Sequence, residues 1–220
     1  MSAPRLDSLT SWHADWKGLR VAVLGLSVTG FSVADTLAEL GADVVVYTES
    51  ADPEYERLLP VIGVRSWVGA LSAVPDDLRD LAPEVVIASP GFPPTHPVIA
   101  WARDAGIAVW GDVELAWRVR DKVVRADGSP ADWVLITGTN GKTTTTRLTA
   151  TMLVEGGLRA APVGNIGTPV LDAVRDPAGF DALVVELSSH QLWYLGLQSG
   201  PEPLSPHASV CLNLADDHLE

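Results

Sequence analysis

Residues 135–146 read LITGTNGKTTTT, and the fold of the whole chain turns on this stretch. The common phosphate-binding loop has a glycine, four residues, then Gly-Lys-[Ser/Thr]. Five places before Gly141 stands Ile136, inside an apolar run, and the nearest usable glycine is Gly138. The loop is therefore GxxGKT, two residues short of the usual spelling. WVLITG (133–138) before it reads as a buried strand, and Lys142 to about Glu155 reads as a helix ended by Gly156-Gly157. A glycine turn between strand and helix aims several N–H groups at one point. The helix dipole adds partial positive charge there, which suits phosphate. Lys142 supplies a mobile cation for outer phosphates, and the Thr143 hydroxyl can ligand Mg²⁺. The plain alternative is a glycine turn with an exposed lysine. It leaves four consecutive threonines, Thr143 to Thr146, unexplained at a helix start, because threonine is a poor helix former.

Outward from this loop, short apolar runs alternate with amphipathic segments, the pattern of βαβ units around a parallel sheet. RVAVLGL (20–26), DVVVY (43–47), EVVIAS (84–89) and IAVWG (107–111) read as strands. GFSVADTLAELG (30–41), Pro97–Gly106 and DVELAWRVR (112–120) read as helices. Pro97 near a first turn and Gly106 past a last one fit the ends of a helix. The polar stretch DKVVRADGSPAD (121–132) suits a boundary. This predicts a Rossmann-like N-terminal domain over 1–124, followed over 125–220 by an incomplete P-loop α/β domain. ALVVEL (182–187) and ASVCLNL (208–214) are its further strands. The series stops at Glu220 with fewer strands than a finished domain needs, so the sequence reads as C-terminally truncated.

The formal charge of −13 argues against an electrostatic footprint for nucleic acid or an anionic membrane. A single cysteine, Cys211, excludes an internal disulfide and suits a reducing compartment. The N-terminus lacks the apolar core of a signal peptide, and no stretch approaches the ~18 apolar residues of a membrane span. The expectation is a cytoplasmic protein whose partners are small molecules.

A phosphate loop needs a second carboxylate for Mg²⁺, usually at the end of a neighbouring strand. Glu186, in LVVELSS, stands in such a place, although a strand-end carboxylate can also be plain solvated surface. His218, in NLADDHLE, follows a strand too, and spacing alone leaves a structural histidine and a ligand equally open. GLSVTG (25–30) partly matches the dinucleotide fingerprint G-x-G-x-x-G, with Glu49 as a possible ribose-binding acid. Ser27 stands where the second glycine should be, which weakens an NAD-dependent oxidoreductase reading and leaves a nucleotide diphosphate open. Most of the eight tryptophans read as core, with Trp193 the one to examine for a site role.

Taken together these segments resemble the Mur ligase family, and within it the UDP-N-acetylmuramoyl-L-alanine:D-glutamate ligases. GLSVTG, ASPGFPPTHPVI (88–99), GDVELAW (111–117) and ITGTNGKTTTT (136–146) carry the resemblance. VGNIGTP (163–169), VELSSHQL (185–192) and LNLADDHLE (212–220) extend it over nearly all of the chain. The shortened loop marks the superfamily, and the GNIG and ELSSxQL pair marks the D-glutamate branch.

The resemblance implies an ATP-dependent, Mg²⁺-dependent ligase of peptidoglycan precursor synthesis. ATP would phosphorylate the alanyl carboxylate of UDP-N-acetylmuramoyl-L-alanine, and the amine of D-glutamate would displace phosphate to make an amide. Gly138, Thr139, Asn140, Gly141, Lys142, Thr143 and Thr144 would then cradle ATP. Thr143 and Glu186 would hold one Mg²⁺, and His218 would help to hold a second. Lys142, Asn165, Glu186 and His218 would be the catalytic set. Thr29, Ser89, Gly91, Asn165, Ser188 and Gln191 would face the UDP-sugar. Two departures stand out. The family's uridine-contacting Asp-Thr-Arg is replaced by Tyr47-Thr48-Glu49. The family's carbamylated lysine and closing C-terminal domain have no counterpart before Glu220, so the 220-residue piece is expected to make no product by itself.

Overall fold

The computed structural model describes residues 4–196 and 203–215. After a short helix α1 (Pro4–Asp7), the chain runs β1 (Arg20–Leu26), α2 (Val28–Glu39), β2 (Asp43–Ala51), α3 (Pro53–Leu58) and a 3₁₀ turn (Leu59–Ile62). It continues through β3 (Arg65–Val68), α4 (Asp76–Leu81), β4 (Val85–Ala88), α5 (Pro97–Asp104), β5 (Ala108–Gly111) and α6 (Asp112–Arg118). A second series follows: β6 (Asp132–Thr137), α7 (Lys142–Glu155), β7 (Ala160–Gly164), α8 (Val170–Arg175), β8 (Ala182–Glu186), α9 (Ser189–Leu195) and β9 (Ala208–Cys211). No helix among the described residues is long and apolar enough to cross a membrane.

The strands form two all-parallel sheets, ordered β3-β2-β1-β4-β5 and β7-β8-β6-β9. Parallel neighbours need crossovers, and the helices supply them. In the first sheet the order reverses between β1 and β4, which opens a crevice at their carboxyl ends. In the second, β6 lies between β8 and β9, so the loop after β6 opens at the corresponding reversal.

The central strands β1, β4 and β8 are buried on both faces, as their near-continuous apolar runs predict. Two edge strands carry weaker sequence signals. β3, RSWV, is mostly exposed, and β7, AAPVG, contains Pro162. Proline is tolerated there because an edge strand has one side free of ladder bonds. β2 is longer than DVVVY suggests. A bulge between Leu24 and Leu26 lets β1 pair with Ala51, so Glu49 lies within the strand and not past it.

Helix α2 begins at Val28, two residues before Gly30. A Cβ at Gly30 would lie 2.0 Å from the Gly25 carbonyl oxygen, so only glycine lets α2 pack this closely on β1. Gly30→Ala is expected to lower the melting temperature by about 10 °C, from roughly 3 kcal/mol of overpacking in a chain of this size. Thermal unfolding by circular dichroism checks this, and an unchanged melt would refute the tight packing.

The two sheets share one core. Buried residues from β1, β5 and α6 join those of β6, β7, α8 and β8 in a single cluster, with Trp117 and Trp133 edge to face at 5.2 Å. Around it, Arg175 of α8 pairs with Asp35 and Glu39 of α2, at 2.7 and 2.9 Å. Ser32 donates to Asp172 across the same joint. Trp193 packs against the first sheet's layer, beneath Arg103, which places it in the joint.

Within the joint the Gln191 amide donates to both carboxylate oxygens of Asp112, at 3.2 and 3.0 Å. Burial pushes Asp112 up to about 6, and the Gln191 bond offsets only part of that rise. An acid whose folded pKa is raised binds protons on folding. Its stabilisation is complete below pH ~4 and is lost as pH rises through 6. Asp112→Asn keeps an acceptor and removes the charge. The variant should therefore gain on wild type between pH 4 and pH 7, by up to about 3 kcal/mol. Paired denaturant titrations measure the difference, which a constant offset across pH would contradict.

Candidate functional site

The phosphate-type loop spans Gly138–Gly141 between β6 and α7. Gly138 and Gly141 sit at φ 137° and 85°, in the region that favours glycine. A Cβ on Gly138 would come within 3.1 Å of the Asn213 backbone, so β9's continuation closes over the loop. The Thr139 N–H donates to the Asn213 carbonyl, and the Asn140 N–H donates to the Asn213 side chain. Among the described residues no hydrogen bond engages the N–H groups of Gly141, Lys142, Thr143 or Thr144. These are the orphan donors of a helix start, and they converge with the dipole of a 14-residue helix. The Lys142 ammonium bonds to the Gly138 and Thr139 carbonyls at 2.7 and 3.1 Å. Loop and lysine thus fit a polyphosphate chemically, and the lysine has only neutral oxygens to leave.

Behind the loop lies Glu186, almost wholly buried at the end of β8. Its carboxylate accepts from the Thr143 hydroxyl at 2.9 Å and from the Asn165 amide at 3.1 Å. The Asn165 N–H also donates to the Glu186 carbonyl. Gly164 makes that approach possible, since a Cβ there would lie 2.5 Å from the same carbonyl oxygen. Three residues from separate motifs therefore form one bonded set. A buried carboxylate held, among the described residues, by two neutral donors, one of them a hydroxyl, suits a hard divalent cation. His218 lies outside the described residues. Within them, no group of three or more His, Cys, Asp or Glu side chains gathers as a metal site.

A cavity of about 530 Å³ opens in front of the loop. Lys142, Asn165, Ser188 and His190 line it from the second sheet's side, and Pro90 lines it from the first. Helix α9 holds this wall in place. Ser188 caps it by accepting from the Gln191 N–H, and Gln191 accepts in return from the Ser188 N–H, a reciprocal capping box. Gln191 faces inward: its oxygen is engaged by Ser188 and its amide by Asp112. Tyr194 donates to the Phe92 carbonyl at 2.8 Å, and His190 Nδ1 lies 3.0 Å from the Pro90 carbonyl.

The remaining predicted residues lie at the crevice of the first sheet. Thr29 is half-buried in the first turn of α2, and Gly91 is exposed in the turn after β4. Ser89 is buried against the Gly25–Gly30 turn, and its hydroxyl has no hydrogen-bond partner among the described residues. Glu49 accepts from the Leu71 N–H at 2.9 Å, tying β2 to the loop after β3. Near it, His96 caps α5, and burial lowers its pKa more than Glu49 raises it. Asp112, His190 and Asn213 were not singled out by sequence reasoning. His190 had a signal, as the variable position inside ELSSxQL.

Two family descriptions match the chain: Mur ligase MurD-like, N-terminal domain, over residues 19–111, and Mur ligase middle domain, over residues 136–220. A UDP-N-acetylmuramoylalanine--D-glutamate ligase from Leifsonia xyli subsp. xyli is 60% identical over 222 residues, covering 100% of this chain. The chain belongs to the Mur ligase family, on its MurD-like branch. A ligase of the same name from Tropheryma whipplei strain Twist is 50% identical over 98% of the chain. The Mur ligase chain spans 43% of the length of each of these curated relatives. Among solved structures, the UDP-N-acetylmuramate:L-alanyl-gamma-D-glutamyl-meso-diaminopimelate ligase from Neisseria meningitides aligns with a TM-score of 0.51. That alignment covers 91% of this chain and 62% of the other, and at 18% identity it shows the fold alone. GLSVTG lies within the stretch matched by the MurD-like N-terminal domain.

Lys142→Ala removes a cation that, among the described residues, holds only loop carbonyls. The melt should stay within about 2 °C, while affinity for ATP with Mg²⁺ should fall at least about tenfold. Thermal unfolding by circular dichroism reads the melt and calorimetric titration reads the affinity, and an undiminished affinity would sink the phosphate role of the loop.

Proposed function

We propose that this chain is the UDP-sugar-binding and phosphate-loop part of an ATP-dependent amide ligase that joins D-glutamate to UDP-N-acetylmuramoyl-L-alanine. The Thr143–Glu186–Asn165 set carries this reading. It stands beside the phosphate loop and behind a cavity whose far wall is Pro90 of the other sheet. Such a layout suits a reaction in which a nucleotide triphosphate and a second, elongated substrate meet between two α/β units.

In this proposal the N–H groups from Gly141 to Thr144 and the Lys142 ammonium would hold the phosphates of ATP, with Gly138 to Asn140 shaping the turn. Thr143 and Glu186 would hold its Mg²⁺, and His218 is kept as the candidate for a second ion. When bound, MgATP supplies the phosphoryl group that turns an unreactive carboxylate into an acylating agent. The chain's own residues contribute positioning and charge. Lys142 balances negative charge in a site partly closed to water. Asn165, held by Glu186 through backbone and side chain, presents a fixed polar edge to the cavity. Thr29, Ser89 and Gly91 would seat the UDP moiety at the first crevice, where the helix N-terminus of α2 and the unpartnered Ser89 hydroxyl favour a diphosphate. Ser188 and Gln191 would act by fixing α9. The protein would work in the cytoplasm on small-molecule substrates.

The test is phosphate release by the intact protein with each substrate omitted in turn. Release is expected only when ATP, Mg²⁺, UDP-N-acetylmuramoyl-L-alanine and D-glutamate are all present, with the D-glutamyl amide found by mass spectrometry. Release without the UDP-sugar, or a preference for another amino acid, would overturn the assignment.

A further inference from the structure

We propose that His190 is a specificity-determining residue that accepts a hydrogen bond from the sugar–alanine part of the bound ligand. This rests on the ligase reading above. The argument begins with Pro90, whose carbonyl lies 3.0 Å from His190 Nδ1. A carbonyl oxygen can only accept, so the hydrogen of the neutral ring sits on Nδ1. The other ring nitrogen, Nε2, is then an acceptor with a lone pair. Among the described residues Nε2 has no hydrogen-bond partner, and His190 is one of the residues lining the cavity.

The ring is also fixed in place. His190 lies in the first turn of α9, which the Ser188–Gln191 capping box closes and the Asp112–Gln191 bond ties to the first sheet's side. Pro90 belongs to the turn after β4, next to Ser89 and Gly91 at the proposed UDP crevice. Lys142 and Asn165 share the cavity from the phosphate-loop side. His190 therefore stands between the place proposed for the diphosphate and the place proposed for phosphoryl transfer. The part of the ligand that spans this gap is the sugar and its alanyl stem, which offers neutral amide N–H and hydroxyl donors. A fixed lone pair selects such a donor, and a wrongly shaped ligand would leave it unpaired.

The experiment uses the intact protein, with UDP-N-acetylmuramoyl-L-alanine and plain UDP as probes. His190→Phe keeps a ring and removes both nitrogens. His190→Gln keeps a donor and an acceptor on one side chain. Calorimetry should show about five- to tenfold weaker binding of the UDP-sugar by His190→Phe, with UDP affinity unchanged and most of the loss restored in His190→Gln. In ¹⁵N-histidine-labelled wild type, long-range ¹H–¹⁵N spectra should show the Nδ1–H tautomer, and the Nε2 signal should move with the UDP-sugar and not with UDP. Equal weakening of UDP and UDP-sugar would mark His190 as a structural strut and overturn the proposal. So would an unchanged UDP-sugar affinity, or an Nε2–H tautomer in the free protein. Wild type that binds UDP and not the UDP-sugar would overturn the ligase reading, and the role of His190 with it.

Discussion

Gln191 sits buried where the two sheets meet, and each end of its short amide is engaged. The oxygen closes the first turn of α9 on Ser188, and the nitrogen holds the Asp112 carboxylate at the start of α6. An acid buried to this degree without a cation is costly, and the amide is the hydrogen-bonding side chain that holds it. Helix α9 leads directly from Glu186 through Leu187 and Ser188. The position of the phosphate-loop carboxylate relative to the first sheet is therefore set through this joint. A rigid core shared by both sheets makes such a joint possible, since a loosely tethered pair of units would leave the cavity wall undefined.

The same economy appears at Glu186. Its carboxylate is bonded by a helix residue from one motif and a loop residue from another, and both need glycine nearby. Gly164 admits the Asn165 loop against the strand, and Gly141 turns the chain into α7. Backbone freedom at these points decides where polar atoms end up. The polar atoms then decide which ligand chemistry fits.

Much of this was legible in the residues. RVAVLGL and ALVVEL are buried on both faces and read as central strands for that reason. The shortened loop and Glu186 could be paired because a phosphate loop calls for a carboxylate at a neighbouring strand end, whereas Asn165 entered only through the family resemblance of VGNIGTP. β3 and β7 were not legible, because edge strands are half-solvated and lack a continuous apolar run. Glu49 was misplaced by a bulge, which leaves no mark in hydrophobic pattern. Gln191 read as a ligand contact, yet in the structure both its ends meet protein, because the partner acid lies 79 residues away in sequence.

Sequence alone determined the α/β class, most of the strands, the longer helices and the types of residue in the glycine loop between β6 and α7. Those features depend on local periodicity, glycine conformation and short-range spacing, all of which are written along the chain. Tertiary structure decided which polar groups meet: Asp112 with Gln191, His190 with Pro90, and Thr143 and Asn165 with Glu186. These contacts join residues from different motifs, and their strength depends on burial and on angles that no linear pattern encodes.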